Sequence, residues 1–495
     1  MHPTVAEWLA GKDILITGAT GFMGRVLVEK LLRTCNDVNR LYLVIRTRKG
    51  QEPAARIKEF TDDELFGLLL EKYPNAFDKV TIIPGDVSEI ECGISKEDQQ
   101  ILRDNVSVVF HTAASVRFDD SVTKAVKLNT RGTHELLKMA ENFKKLEVFE
   151  YVSTTYCNFN LYDTVGEKVY PSHLDWKTLV ALVDKDGNTL NSLQHKLQGT
   201  QINTYVLTKS LAENIVEEYS NRVPVVIVRP SVVVPSLQEP FPGWINNLNG
   251  LMGVVAGNAK GVMRVFHCDP EARVGFVPVD VAINGLLVGA WSKRFLDDGV
   301  LQVFNEAYGD KICVTNRNIV DQGAVITAKY PMENYLWYPF CYLTKNRRLF
   351  HILFLLMQVI PALLVDLVLK ICGKKPMLTR ITRHIYVANL AISEFVTHEN
   401  QFSNTKFRNI FTKLSPIDRE QLVVSEEQAK DFDENTYMTN ALLGLKKYFF
   451  HEKEEDLPRY RRNQQRLYYL HVTVKVLFWT YVLYKLALCA SSLVT

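Results

Sequence analysis

The sequence predicts an α/β protein: a doubly wound parallel sheet, then a mostly helical C-terminal region and an apolar C-terminal tail. Three observations carry this. An apolar strand, Ile14-Leu-Ile-Thr17, runs straight into Gly18-Ala-Thr-Gly21-Phe-Met-Gly24 and then an amphipathic segment. Short apolar runs alternate with helical patterns after it, as in repeated strand–helix–strand units. Tyr205 and Lys209 stand four residues apart, and so share one face of a predicted helix.

The first strand is expected over 13–17 and its helix over 25–33, with Val26, Leu27, Leu31 and Leu32 inward. Gly18 permits a tight turn, Gly21 lets the backbone approach a pyrophosphate, and Gly24 lets helix and strand pack closely. A diphosphate would rest on the helix N-terminus, where unpaired N–H groups and the dipole favour negative charge. The spacing is G-x-x-G-x-x-G rather than G-x-G-x-x-G, so its weight comes from its place between strand and helix. The second strand, 41–45, ends in Arg46-Thr-Arg48-Lys49. An acid there would hold a ribose 2′-hydroxyl, whereas cations suit a 2′-phosphate; NADPH is therefore expected, with Arg46 its primary contact. A solvated basic loop is the alternative.

The third strand, 80–83, leads to Gly85-Asp86-Val87, where an acid can accept from an adenine amino group. The fourth, 106–110, leads to His111-Thr-Ala113-Ala114-Ser-Val116, whose small side chains let the chain pass beneath a nicotinamide ribose. His111 itself is read as a satisfied structural histidine. The fifth, 148–152, ends in Ser153-Thr154-Thr155, where a hydroxyl would meet a substrate carbonyl. Beside Tyr205, the Lys209 ammonium is expected to lower the phenol's pKa, so that the tyrosine can pass a proton. Alone, the pair is also what an exposed helix face offers; with the glycine turn it implies nicotinamide redox chemistry.

The set TGATGFMG, GDV, HTAASVRF, LNTRGT, YVSTTYCN, YVLTK, VRPSVV and VPVD resembles the extended short-chain dehydrogenase/reductases, with their Rossmann-type fold. More narrowly, Val116-Arg-Phe118, the stretch 203–213 and Glu239-Pro-Phe-Pro-Gly-Trp244-Ile-Asn-Asn-Leu-Asn-Gly250 resemble the alcohol-forming fatty acyl-CoA reductases, over essentially the whole chain. The resemblance implies a triad of Thr154, Tyr205 and Lys209. Tyr205 would donate a proton to the developing alkoxide, Lys209 would hold the ribose hydroxyls, and Thr154 would orient the carbonyl. Three hydroxyl residues run together here, where family members more often have alanine at Thr155, so Ser153 is the alternative to Thr154. Cofactor contacts are expected from Thr17, Gly18, Thr20, Gly21, Phe22, Met23, Gly24, Arg46, Asp86, Val87, Ala113 and Ala114, besides Tyr205 and Lys209. The activity implied is reduction of a long-chain acyl-CoA to a primary alcohol in two hydride steps through an aldehyde, releasing CoA. Another extended reductase or epimerase, acting on a sterol or nucleotide sugar, would keep the triad but not explain the block from Glu239 to Gly250.

A net charge of +3 with no basic stripe argues against nucleic acid as a partner. Eight cysteines without C-x-x-C pairs suggest neither a disulfide framework nor zinc, which fits a reducing compartment. Oligomeric state stays open. The expected organisation is a cofactor-binding domain over 1–345, a helical region over 346–455, and a basic linker with an apolar tail over 456–495. Short helices are expected from 379 to 450, one of them amphipathic over 440–448. Leu349 to Cys372 is long enough to span a bilayer but carries His351, Gln358, Asp366 and Lys370, with Pro361 at its centre. Each central charge would cost about 2.5–3.5 kcal/mol to insert, so a buried or interfacial hairpin of helices is expected instead. Val472 to Val494 is apolar for a bilayer's thickness and follows Arg459, Arg461, Arg462 and Arg466. It reads as a tail anchor leaving the bulk of the chain in the cytosol, on peroxisome or endoplasmic reticulum; a core helix is the alternative.

Overall fold

Seven short segments, most of them apolar and buried, become the strands of one sheet: β1 (Asp13–Thr17), β2 (Arg40–Ile45), β3 (Val80–Pro84), β4 (Val108–His111), β5 (Val148–Val152), β6 (Val225–Pro230) and β7 (Gln302–Glu306). Every neighbouring pair is parallel, in the order β7-β6-β5-β4-β1-β2-β3. The computed structural model describes residues 2–46, 53–296, 299–307, 314–424 and 433–494, and not the side chains of 53–54 and 489–494. The strands read as continuous apolar runs because helices cover both faces of a parallel sheet. All residues of β1, β4, β5, β6 and β7 are buried. From β1 the chain winds outward through β2 and β3, then returns to place β4 on the other side of β1. That reversal opens a crevice beyond the carboxyl ends of β1 and β4, where sheets of this type bind ligands.

The chain divides into two compact units. The first comprises Met1–Ile245, Gly275–Cys313 and Glu399–Asp433; the second comprises Asn246–Val274, Val314–His398 and Glu434–Thr495. Neither is one contiguous stretch. The sheet belongs to the first, with helices α1 (Phe22–Thr34), α2 (Lys96–Asn105), α3 (Gly132–Ala140), α4 (Thr204–Tyr219) and α5 (Val279–Ser292). Helix α4 is held from two sides. Its Ala212, Ile215 and Val216 pack with Phe149 and Tyr151 of β5. Its Leu207 and Leu211 pack with Leu179, Val183 and Leu190 of the stretch between Thr154 and Tyr205, which carries no readable motif.

The second unit is mainly helical: α6 (Asn316–Lys329), α7 (Arg347–Ile371), α8 (Leu378–Val396), α9 (Glu434–Gly444) and α10 (Leu457–Val494). Two expectations need correction. Helix α8, at 19 residues, is longer than the short pieces expected there. The segment 349–372 is not a hairpin broken at Pro361: it is one helix, with a π turn at Leu355–Val359 just before the proline. The wide turn accommodates a residue that lacks an N–H and would crowd the preceding turn. Nor is the segment buried. Its inward side holds Phe350, Phe354, Gln358, Ala362 and Asp366, while Leu355, Leu356, Leu363, Leu364 and Leu367 face out. The expected amphipathic piece over 440–448 is α9 running into a π turn at Leu445–Phe449. Helix α10 runs unbroken for 38 residues, about 57 Å. Its first turns are seated by buried Tyr460 and Gln464, whose Nε2 donates to the Thr327 carbonyl at 3.0 Å. From Val472 to Leu488 its described side chains are almost all exposed.

Candidate active site

The turn after β1 is shaped by what a Cβ would strike. Gly18 has φ +74°, and a Cβ on it would stand 2.7 Å from the Ala113 nitrogen. On Gly24 a Cβ would stand 2.2 Å from the Gly18 carbonyl oxygen and 2.7 Å from the Ala19 Cα. Both positions therefore require glycine, one for conformation and approach and one for helix–strand packing. Gly21 is the N-cap of α1, and no side chain caps that end. The first N–H groups of α1 are left to a ligand, and a dinucleotide diphosphate matches them in charge and geometry. Thr20 and Gly21 are exposed at this turn, and Phe22 and Met23 are half-buried.

Arg46 follows β2, and its Nε lies 3.9 Å from Asp86 Oδ2, beyond β3. The other Asp86 oxygen accepts from the Ser88 N–H and hydroxyl at 2.9 and 2.7 Å. Arg46 is 73% exposed, so its guanidinium is open to an incoming anion. Arg48 and Lys49 lie outside the described residues. Val87 is buried against Gly132, where a Cβ would stand 2.5 Å from the Val87 carbonyl oxygen. Ala113 and Ala114 are half-buried after β4. His111 is wholly buried, with Nδ1 2.7 Å from the Thr17 hydroxyl and Nε2 3.0 Å from that of Thr133. The Thr133 hydroxyl donates to the Asn129 carbonyl, so it accepts from Nε2–H, and Thr17 donates to Nδ1. Burial, with Lys209 nearby, lowers the His111 pKa to about 3. It is a neutral, doubly bonded structural histidine that ties β1 to α3.

Thr154 leaves the end of β5 and meets the face of α4 that carries Tyr205 and Lys209. Asn203 starts α4, its side chain accepting from the Val206 N–H at 2.9 Å. Lys209 Nζ donates to the Val152 carbonyl at 2.6 Å and lies 4.6 Å above the Tyr151 ring. Burial lowers Lys209 to about 8, with Glu213 pulling it back up. The expected depression of the Tyr205 pKa is absent. Burial and the nearby Cys157 push the phenol above its ordinary value, and only the neighbouring Thr154 hydroxyl opposes them. Lys209 is turned to the Val152 carbonyl, so its charge does little for the phenol. The Thr154 hydroxyl accepts from the Tyr156 N–H at 3.2 Å and lies close enough to the Tyr205 phenol to favour its charged form, whereas the Ser153 hydroxyl is buried with no hydrogen-bond partner among the described residues. Thr155 is buried with no hydrogen-bond partner for its hydroxyl among the described residues. The Phe118 and Tyr205 rings are 5.9 Å apart, which places the loop after β4 beside the phenol.

Several supporting residues escaped sequence reasoning. Glu213, two turns beyond Tyr205 and one beyond Lys209, is fully buried and forks onto Arg229 of β6 at 2.7 and 2.6 Å. Asn129 joins the loop after β4 to α4: its side chain bonds the Ser115 N–H and carbonyl and donates to the Thr208 hydroxyl. Asp280, in the VPVD stretch, accepts from the N–H groups of Leu237, Gln238 and Glu239. Glu239 in turn bonds Lys30 and Arg33 of α1, and Trp244 stacks on Phe22 with ring centres 5.4 Å apart. The motif over 239–245 is thus fastened to the helix that opens at the glycine turn. The signal for these residues was present as quoted motifs, without a partner to give them a role.

The sheet order, the glycine cradle and the hydroxyl–tyrosine–lysine cluster define an extended short-chain reductase fold with a site for a nicotinamide dinucleotide. Residues 16–286 and 357–452 match two family profiles, both described as male sterility protein, the first of them NAD-binding. Fatty acyl-CoA reductase 1 of Xenopus laevis is 35% identical over 96% of this chain and 93% of its own. The human protein of that name is 33% identical over 96% and 93%, and the Drosophila melanogaster fatty acyl-CoA reductase wat 33% over 94% and 90%. Among solved structures, the terminal reductase domain of the myxalamid pathway shares the fold, with TM-score 0.59 and 17% identity over 88% of this chain and 90% of its own. The chain belongs to the fatty acyl-CoA reductase family and is an oxidoreductase.

Proposed function

We propose that this chain reduces the thioester of a long-chain fatty acyl-CoA to a primary alcohol with NADPH, in two rounds through an aldehyde. The observation that carries it is the meeting of Thr154, Tyr205 and Lys209 at the end of β5, in the unit that holds the glycine cradle. The coenzyme, once bound, supplies a hydride to the carbonyl carbon. Thr154 and Tyr205 together present two hydroxyls to the carbonyl oxygen, and Tyr205, kept protonated by burial, gives its proton as that oxygen gains charge. Lys209, as ammonium, holds the nicotinamide ribose. The first round leaves a hemithioacetal, which expels CoA as its thiol and becomes an aldehyde; the second uses the same donors on that aldehyde. Arg46, open to solvent at the end of β2, suits a 2′-phosphate and supports NADPH over NADH.

We further propose contacts to the coenzyme from Thr17, Gly18, Thr20, Gly21, Phe22, Met23, Gly24, Asp86, Val87, Ala113 and Ala114. The exposed apolar length of α10 supports a tail anchor with the rest of the chain in the cytosol. The division at about 345 and 455 is kept as a functional one: cofactor site, helical region, tail. The test is purified protein with NADPH and a long-chain acyl-CoA, following loss of reduced nicotinamide and assaying products. Two NADPH consumed per alcohol formed, with one free thiol released, is the expected result. Tyr205→Phe should bind NADPH normally and turn over about 10²-fold slower or worse. Oxidation of NADPH by a sterol ketone or nucleotide sugar, and none by acyl-CoA, would overturn the proposal.

A further inference from the structure

Helix α7 has its polarity turned inside out. Between its terminal cations, its polar residues face the body of its own unit. The buried Asp366 accepts from the N–H groups of Met377, Leu378 and Thr379 and from the Thr379 hydroxyl, and so caps α8. Gln358 accepts from the Arg264 N–H, and His351 meets the Tyr386 hydroxyl. The outward side is apolar at helical spacing: Ile352, Leu356, Ile360, Leu363, Leu367 and Ile371, each at least 40% exposed. From the first to the last of these is about 28 Å along the axis. An unbroken apolar stripe of that length is more than a soluble surface ordinarily carries. The exposed apolar part of α10 does not cover it, since both stay open.

Charge decides what covers it. Arg347 and Arg348 are exposed at one end, beside Lys345, which is paired with Asp269; Lys370, Lys374, Lys375 and Arg380 are exposed at the other. The only acid between Lys345 and Arg383 is Asp366, and it is buried. An apolar face with cations at both ends fits a lipid leaflet with anionic headgroups, the cations resting among the headgroups and the leucines just beneath. A transmembrane passage does not fit, because lifting α7 from its bed would strip Asp366 of four hydrogen bonds and carry it into hydrocarbon.

We propose that α7 lies in the plane of a membrane, its Ile352-to-Ile371 stripe sunk into the headgroup–acyl boundary of an anionic leaflet, as a docking surface separate from the apolar end of α10. The test uses the full chain in vesicles of mixed phosphatidylcholine and phosphatidylserine. Cysteines replace Leu356, Leu363 and Ile371 one at a time in a Cys372→Ser background, and each carries an environment-sensitive fluorophore. Lipids brominated at different chain positions should quench all three labels at one shallow depth, roughly 5–10 Å below the headgroups. Docking should weaken about fivefold for each of Lys374→Gln and Lys375→Gln, as removal of one interfacial cation predicts. Adding Leu356→Glu and Leu363→Glu should abolish quenching at position 371 while the thermal melt is unchanged, since both side chains are exposed. A label deepest at Leu363 would mean a span, and would overturn the proposal. Quenching by none of the lipids would overturn it equally, and would assign the stripe to a second copy or another protein. Equal quenching on phosphatidylcholine alone would overturn the assignment of an anionic leaflet.

Discussion

Above about pH 8 the enzyme should lose activity because Lys209 loses its proton. Lys209 is buried between Tyr151 and the Val152 carbonyl, and the cost of a charge there brings its pKa from 10.5 to about 8. If the ammonium is the form that holds the ribose, about one molecule in eleven is competent at pH 9 and about one in a hundred at pH 10. The apparent kcat/KM for NADPH, which reports the free enzyme, should therefore fall about tenfold per unit on the alkaline side. Tyr205 does not add to that limb, because its phenol is pushed up and stays protonated throughout. The assay is a pH series at saturating acyl-CoA, run beside Lys209→Arg, whose guanidinium does not titrate in this range. A profile flat to pH 10, or a limb that survives in Lys209→Arg, would refute the reasoning. The same shift has a stability sign. Between about pH 8 and 10.5 the unfolded chain binds the extra proton, so the native state is penalised below 8 and recovers as pH rises to 10.5. Lys209→Met should remove that rise.

Arg46→Ala should narrow the ratio of kcat/KM for NADPH over NADH by about tenfold, the low end for a charged hydrogen bond because the guanidinium is solvent-exposed; an unchanged ratio would move the phosphate contact to Arg48 or Lys49. Gly24→Ala sets a Cβ 2.2 Å from the Gly18 carbonyl oxygen, so the turn must shift. It should lose about 1–3 kcal/mol of stability together with the rise in Tm that NADPH gives the wild type; a normal NADPH-induced rise would contradict the cradle. Deleting residues 468–495 should move the protein from a membrane pellet towards the supernatant with turnover intact, while a truncated protein that still pellets would make α7 the dominant membrane element.

The first unit was legible because its physics is local. A strand buried on both faces is mostly apolar, so β1 and β5 could be read to the residue as 13–17 and 148–152 despite the buried Asp13 and Glu150. The glycine turn was legible because three backbone constraints fall within seven residues. The hydroxyl at the end of β5 was narrowed only to a run of three, since which one meets Tyr205 depends on the turn after the strand. Lys209's hydrogen bond to the Val152 carbonyl was invisible for a similar reason. Sequence spacing puts lysine and tyrosine on one face of α4 but says nothing of an acceptor on a strand 57 residues away. The Glu213–Arg229 fork and the Asp280 cap join elements 16 and more than 40 residues apart, and no periodicity records such pairs.

Helix α7 differs, because it was expected as a buried or interfacial hairpin of helices and is one helix whose rotation about its axis the sequence did not reveal. Amphipathic spacing says that one side is apolar and the other polar; it does not say which side faces the protein. The usual answer assumes that water is the alternative to the core. For α7 the inward side is chosen by hydrogen bonds: the start of α8 presents three N–H groups that need an acceptor, and Asp366 supplies it. A carboxylate placed so is satisfied without water, and the leucines on the opposite side are then left facing out. An exposed apolar stripe of this kind marks an interaction surface. The buried aspartate and the exposed stripe are therefore two consequences of one choice: by fixing the rotation of α7 about its axis, the cap on α8 also fixes which side of the helix is left apolar and exposed.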